Sequence, residues 1–178
     1  MNTISIHNKI FEIYIPDHEI SKIIDLMADQ INKSCFDNPL FISVLNGSFM
    51  FTSDLMKKIN ISNTEISFIK LSSYSGIKTS GIINELIGLN GDITNRNIIL
   101  LEDIIDTGNT LEKILLLLNN EDVASVKIAS FLFKPGAYKK KYDIDFIGKS
   151  ISNNFVVGYG MDFDEIGRNL PHIYKLKK

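Results

Sequence analysis

The chain has 178 residues, 44% hydrophobic and 22% charged, which suits one globular domain with a real core and excludes a disordered or fibrous class. Nineteen basic against 21 acidic residues leave a net charge of -2, so a small ligand is a better expectation than nucleic acid or an acidic membrane surface. The first residues lack the pattern of a signal peptide, and apolar runs such as 114–118 fall far short of the ~20 residues a membrane helix needs. A cytoplasmic protein without a membrane span is expected.

Residues 11–15 alternate as a strand, and Pro16-Asp17 ends it and offers a helix cap. Ile20, Ile23, Ile24, Met27 and Ile31 recur at the spacing of one buried helical face, predicting an amphipathic helix that runs to Ser34. Residues 40–45 form a short apolar run rather than an alternating one, as a parallel strand covered on both faces should. Asn46-Gly47-Ser48 then turns into a helix expected to carry Phe49, Leu55, Met56 and Ile59 inward, before a strand at 65–71. Residues 72–81 are polar and glycine-containing, an exposed loop between strands. After 82–89 and a turn at 90–92, a buried strand at 97–102 ends in carboxylates. A helix lined by Leu111, Ile114, Leu115 and Leu118 follows, and a strand at 123–133 stops before Pro135. Alternating strands and helices predict an α/β fold with a mainly parallel central sheet flanked by helices, its ligand site at the carboxyl ends of the strands.

The most informative stretch is 98–111, where four apolar residues deliver Glu102 and Asp103 to the end of a strand. Asp106, Thr107, Gly108, Asn109 and Thr110 then make a tight turn into a helix, whose free amides and dipole favour a phosphate. Carboxylates beside a phosphate site conflict unless the ligand is a phosphorylated sugar. Glu102 and Asp103 can then accept hydrogen bonds from two ribose hydroxyls, and Asp106 remains free to act as a base. A capped helix start alone would explain Asp106, but three carboxylates within five residues cost stability unless a ligand or metal compensates. Cys35 has no disulfide partner and no histidine near it in sequence, so it reads as a buried or incidental thiol. His7, His18 and His172 lack metal-ligand spacing.

The stretch 102–110 resembles the phosphoribosyl pyrophosphate motif of type I phosphoribosyltransferases, specifically the hypoxanthine-guanine branch. Residues 44–51 resemble the branch's pyrophosphate loop, Ser72-Ser73-Tyr74 the start of its mobile lid, and 155–162 with 168–171 its carboxyl-terminal base and pyrophosphate segment. Lys134, 21 residues before Phe155, stands at the place of the purine-reading lysine. The resemblance implies a type I phosphoribosyltransferase fold in one domain over 1–178, with a lid at about 72–81 and a small hood built from the N-terminal segment and about 135–178. It also implies transfer of a phosphoribosyl group to hypoxanthine and/or guanine in purine salvage. Asp106 would be the catalytic base. Glu102 and Asp103 would hold ribose, and Asp106, Thr107, Gly108, Asn109 and Thr110 the phosphate. Leu45, Asn46, Gly47 and Arg168 would hold pyrophosphate, the loop acting through main-chain groups around a cis peptide.

Ser73 and Tyr74 would belong to the lid. Lys134, Phe155, Val156 and Asp162 would read the purine by a lysine donor, ring stacking and backbone pairing. Mg2+ would sit on substrate oxygens and water near Asp162, Glu102 and Asp103, and a homodimer or homotetramer is implied. Two positions depart from the branch: Asn46, where many relatives carry lysine, and Gly167, where they often carry an aromatic residue. A ligand-sensing regulator would need a nucleic-acid-binding segment, and no basic stripe suggests one. A phosphotransfer receiver domain would leave Lys134, Phe155 and Val156 unexplained.

Overall fold

Residues 3–34, 36–71, 85–87 and 91–177 are described in the computed structural model. Their elements run β1 (Thr3–Ile6), β2 (Lys9–Ile15), α1 (Asp17–Asn32), β3 (Leu40–Val44), α2 (Phe49–Met56), β4 (Glu65–Leu71), β5 (Glu85–Ile87), β6 (Asn97–Ile105), α3 (Asn109–Asn119), β7 (Ser125–Phe133), β8 (Phe146–Ser150), β9 (Val156–Val157) and β10 (Ile173–Leu176). Among them no helix is long and apolar enough to cross a membrane.

The large sheet has the order β5-β4-β3-β6-β7-β8. Strands β4, β3, β6, β7 and β8 are parallel, and β5 closes one edge antiparallel to β4. Every residue of β3 is buried, which accounts for its apolar, non-alternating run: helices cover both faces, so alternation has no solvent side to follow, and the one polar residue, Ser43, is hydrogen-bonded. On one face α1 turns Ile20, Ile23, Ile24, Met27 and Ile31 inward as their spacing predicts, each burial contributing about 2 kcal/mol against exposure. Gly148 in β8 permits the close approach of this helix, because a Cβ there would lie 2.7 Å from the Met27 sulfur and 2.8 Å from Ile23. On the other face α3 packs Leu111, Ile114, Leu115 and Leu118 against Ile42, Val44, Ile98 and Leu100.

A second, antiparallel sheet has the order β1-β2-β10-β9 and joins the start of the chain to its end. Ile6, Phe11, Val157 and Tyr174 form its own small core. Strand β8, by contrast, pairs with β7 in the large sheet.

Several local expectations are corrected. Pro16 takes the cap position of α1 and Asp17 is its first helical residue, its carboxylate accepting the His18 amide at 2.8 Å. Phe49 is 43% exposed, because the buried stripe of α2 is Phe51, Thr52 and Leu55. Ile59 lies beyond the helix end. Strand β6 does not stop at Glu102 but runs to Ile105, since Ile104 and Ile105 continue the ladder opposite Leu132 and Phe133 of β7.

Candidate active site

The carboxyl ends of β3, β6 and β7 meet at one edge of the large sheet, where a parallel sheet offers its loops to a ligand. Because side chains alternate along a strand, Glu102 and Asp103 leave β6 on opposite faces. Glu102 is 5% exposed and lines a cavity of about 90 Å³ completed by residues 104–111. Gly108 caps α3 at φ 82°, a left-handed conformation that glycine adopts without strain. A Cβ at that position would also lie 2.6 Å from the Tyr138 ring and 2.7 Å from Lys140 Cγ. Around this glycine the first amides of α3 have no partners within the helix, as phosphate recognition requires.

Asp103 faces a second cavity of about 230 Å³, lined with it by Ile104, Asp106, Lys134, Phe155, Val156, Met161 and Asp162. This cavity collects all the residues assigned to the purine. Lys134 donates to Asp106 Oδ2 at 2.9 Å, and its side chain is 9% exposed while that of Asp106 is 47% exposed. The buried ammonium is therefore paired on the residue expected to act as base. Phe155 is 46% exposed and lines the cavity, its ring set edge-on to Phe163 at 5.5 Å and tilted to Phe11 at 6.2 Å. Asp106 lines both cavities.

Burial pushes Glu102 well above the ordinary carboxylate range, and the charge of Asp103 adds to it. Burial also pushes Asp103 up to about 6, against the pull of amide hydrogen bonds and Arg168 and with a further push from Asp162. Arg168 holds Asp162 at 2.9 Å and Glu165 at 3.0 Å, and it donates to the Gly160 carbonyl at 3.0 Å. Its Nε is buried without a hydrogen-bond partner among the described residues, a costly state that an anionic ligand would relieve.

The loop after β3 contains a cis peptide between Leu45 and Asn46, at the position the resemblance implied. Ser48, Ser43 and Thr52 fasten it. The Ser48 hydroxyl donates to the Val44 carbonyl at 2.5 Å, which leaves Ser43 to donate to Ser48 at 2.6 Å and Thr52 to donate to Ser43 at 2.7 Å. Gly47 packs directly on the Asp103 carboxylate, and Gly160 packs on the Gly47 carbonyl. No side chain fits at either glycine, so three backbone segments converge where pyrophosphate was expected. Gly167, one of the two departures, sits at φ 100° with Val157 and Ile6 against it, so its conformation and surroundings both favour glycine.

Of the expected site residues, Glu102 and Asp106 to Thr110 line one cavity and Asp103, Asp106, Lys134, Phe155, Val156 and Asp162 the other, while Gly47 and Arg168 touch Asp103 and Asp162. Ser73, Tyr74, the rest of the expected lid and Cys35 lie outside the described residues. The serine and threonine network, and Tyr138 with Lys140 over Gly108, were missed. Nothing in their spacing signals them, because they come together only through tertiary contact.

An acid-tipped strand, a glycine turn opening a helix and an adjoining pocket with a half-exposed aromatic residue are the arrangement expected of a site for a phosphorylated sugar beside a planar base. A family model described as phosphoribosyl transferase domain matches residues 13–164, and the chain belongs to that family. Hypoxanthine-guanine phosphoribosyltransferases of Staphylococcus aureus and Staphylococcus epidermidis are each 37% identical to it over 96% of both chains. Among solved structures, a hypoxanthine phosphoribosyltransferase from Staphylococcus aureus superposes with a TM-score of 0.86 at 36% identity, covering 93% of this chain and 91% of its own. A hypoxanthine-guanine phosphoribosyltransferase from Bacillus anthracis gives 0.84 at 32% identity, covering 93% and 98%. The expected α/β phosphoribosyltransferase fold is thus borne out.

Proposed function

We propose that this protein salvages 6-oxopurines, transferring the phosphoribosyl group of phosphoribosyl pyrophosphate to hypoxanthine or guanine. The products are the nucleoside monophosphate and pyrophosphate. The observation that carries this reading is Asp106, which lines both the phosphate cavity and the base cavity and holds Lys134 at 2.9 Å. A group placed between the two substrates can act on the bond that joins them.

Breaking the anomeric bond leaves positive charge on the ribose and negative charge on the departing pyrophosphate. Thr107, Gly108, Asn109 and Thr110 anchor the 5′-phosphate through the start of α3, while Glu102 and Asp103 orient the ribose hydroxyls. The purine lies against Phe155, with Lys134 donating to its 6-oxygen and the Val156 backbone meeting its polar edge. Purine nitrogen N9 attacks the anomeric carbon, the carbon–oxygen bond to pyrophosphate breaks, and Asp106 takes the proton from N7. Leu45, Asn46, Gly47 and Arg168 receive the leaving group, the unpartnered Nε of Arg168 being the observation that supports an anion there.

Mg2+ fits the donor set. Such an ion is held mainly by substrate oxygens and water with one or two carboxylates. Asp162, Asp103 and Glu102 are the carboxylates that would hold it, the charge of Asp162 being near enough to push Asp103 up. Bound there, the ion would neutralise charge on pyrophosphate. Self-association as a homodimer or homotetramer is also proposed, supported by the exposed Phe49, Ile66 and Phe68, and light scattering tests it.

A spectrophotometric assay with phosphoribosyl pyrophosphate, Mg2+ and each purine and pyrimidine base tests the reaction. Turnover with hypoxanthine or guanine is expected, and turnover with none of the bases would remove the reading.

A further inference from the structure

The segment between Val157 and Met161, flanked on both sides by residues of the base pocket, is unusual in its backbone. Gly158, Tyr159 and Gly160 have φ values of 102°, 51° and 97°, three consecutive residues in the left-handed region. Glycine adopts it freely, whereas tyrosine does so only where its surroundings hold it. What holds Tyr159 is visible. Its side chain is buried, its ring packs 5.3 Å from Phe131 of β7, and Phe131 in turn lies 5.4 Å from Phe51 of α2. Its hydroxyl donates to Asp54 Oδ2 of α2 at 2.9 Å, while Oδ1 of the same carboxylate holds Lys57 at 2.9 Å.

The position of Asp54 gives this bond its consequence. It belongs to the helix that begins immediately after the pyrophosphate loop, and Thr52 of that helix is tied to Ser43 and Ser48 beneath the loop. On the other side, the residue after Tyr159 is Gly160, which packs on the Gly47 carbonyl and whose own carbonyl accepts Arg168. One side-chain bond thus joins the element that carries the loop to the segment that presses on it. The pair also forms part of the wall of a cleft of about 450 Å³ between α1 and α2, to which the chemistry assigns no substrate.

We propose that Tyr159 and Asp54 are positioning residues for phosphoribosyl pyrophosphate: their hydrogen bond fixes α2 against the Gly158–Gly160 segment and so sets the pyrophosphate loop opposite Arg168. The inference deepens the phosphoribosyl-transfer reading and rests on it. Burial and the adjoining carboxylate push the phenol well above its ordinary value, so it stays a donor across the working pH range. The base pocket is lined by Lys134, Phe155, Val156 and Asp162, and neither Tyr159 nor Asp54 is part of its wall. Loss of the bond therefore acts on one substrate.

The test compares Tyr159→Phe, Asp54→Ala, Asp54→Asn and Tyr159→Phe/Asp54→Ala in the full chain. Tyr159→Phe keeps the ring on Phe131, and Asp54 is a partly exposed helix residue, so its replacement leaves the core intact. The expected result is a rise of about tenfold in KM for phosphoribosyl pyrophosphate in Tyr159→Phe and Asp54→Ala, with kcat and the KM for hypoxanthine within about twofold of the parent. Asp54→Asn retains an acceptor oxygen and should stay close to the parent, and the double variant should be no worse than either single one. Calorimetric affinity for pyrophosphate with Mg2+ should fall in parallel and needs no turnover, so an inactive parent would sink the catalytic reading while leaving this comparison intact. A lowered Tm with unchanged pyrophosphate affinity, or an equal rise in both KM values, overturns the proposal.

Discussion

The half of the site proposed for the sugar phosphate comes from one stretch, Glu102 to Thr110, whereas the half proposed for base and pyrophosphate brings residues 45–47, 134, 155–162 and 168 up to Asp103 of that stretch. The first half is a strand end and a helix start, whose chemistry is carried by local backbone geometry and whose burial comes from β6 itself. The second depends on loops touching one another through glycines, with Gly160 against Gly47 and Gly47 against Asp103. A local motif tolerates change elsewhere, while an assembled one fails at its contacts. The largest predicted effect accordingly lies in the second half.

Gly160→Ala should be the most damaging substitution. Its Cβ would run into the Gly47 carbonyl at a φ of 97°, combining left-handed strain with a backbone collision, a loss of about 3 kcal/mol and of measurable turnover. Gly91→Ala provides the matched control, since Gly91 has a φ of 98° with nothing within 4 Å of the added carbon. It should lose only about 1 kcal/mol by thermal unfolding and keep full activity. Equal behaviour of the two variants would show that the glycine contact does not organise the site.

Next in size is Asp106→Asn, which acts where the two halves join. Turnover should fall by roughly 100-fold or more while the KM for phosphoribosyl pyrophosphate moves little, because the amide keeps the shape of the turn and loses the ability to take a proton. It also removes the charge that holds Lys134. Full activity in steady-state assays would take Asp106 out of the proposed role and weaken the idea that the halves meet there.

The contrast also explains what could be read without a fold. Residues 97–111 announced themselves because burial, carboxylates and helix start follow one another in the chain, and β3 and the inner faces of α1 and α3 were visible through periodicity. The extension of β6 to Ile105 was not visible, being set by Leu132 and Phe133 on a neighbouring strand. Nor were β1, β8 and β10, short strands whose burial is decided by their partners: β8 carries Gly148 and Lys149, and β10 ends in Tyr174, Lys175 and Leu176. The Tyr159 and Asp54 bond spans 105 residues and leaves no local signature. Lys134, Phe155 and Asp162 were legible only by resemblance.

Acid–base behaviour separates the halves on a smaller scale. Asp103 has its folded value raised from 3.8 to about 6, so folding strengthens its hold on the proton. Its contribution to stability is complete below pH 3.8 and is lost as pH rises through about 6, a swing on the order of 3 kcal/mol. Asp103→Asn removes that titration. Without ligand or metal, the variant should therefore gain Tm over the parent as pH goes from 4 to 7, with no further gain above pH 8. A constant difference across that range would mean that Asp103 titrates as an ordinary exposed acid.

The smallest effect is expected at Phe155, where the base half opens to solvent. The ring is 46% exposed and is braced edge-on by Phe163, so Phe155→Leu removes little buried area and should leave Tm within a degree or two of the parent. Stacking on the purine is what it would lose, raising the KM for hypoxanthine by about three- to tenfold with the KM for phosphoribosyl pyrophosphate unchanged. Tyr159→Phe is expected to show the reverse pattern, acting on phosphoribosyl pyrophosphate and sparing the base. The two variants therefore ask whether the pockets are independent. If Phe155→Leu raised both KM values together, the ring would be bracing the Val156 to Asp162 segment rather than meeting a ligand.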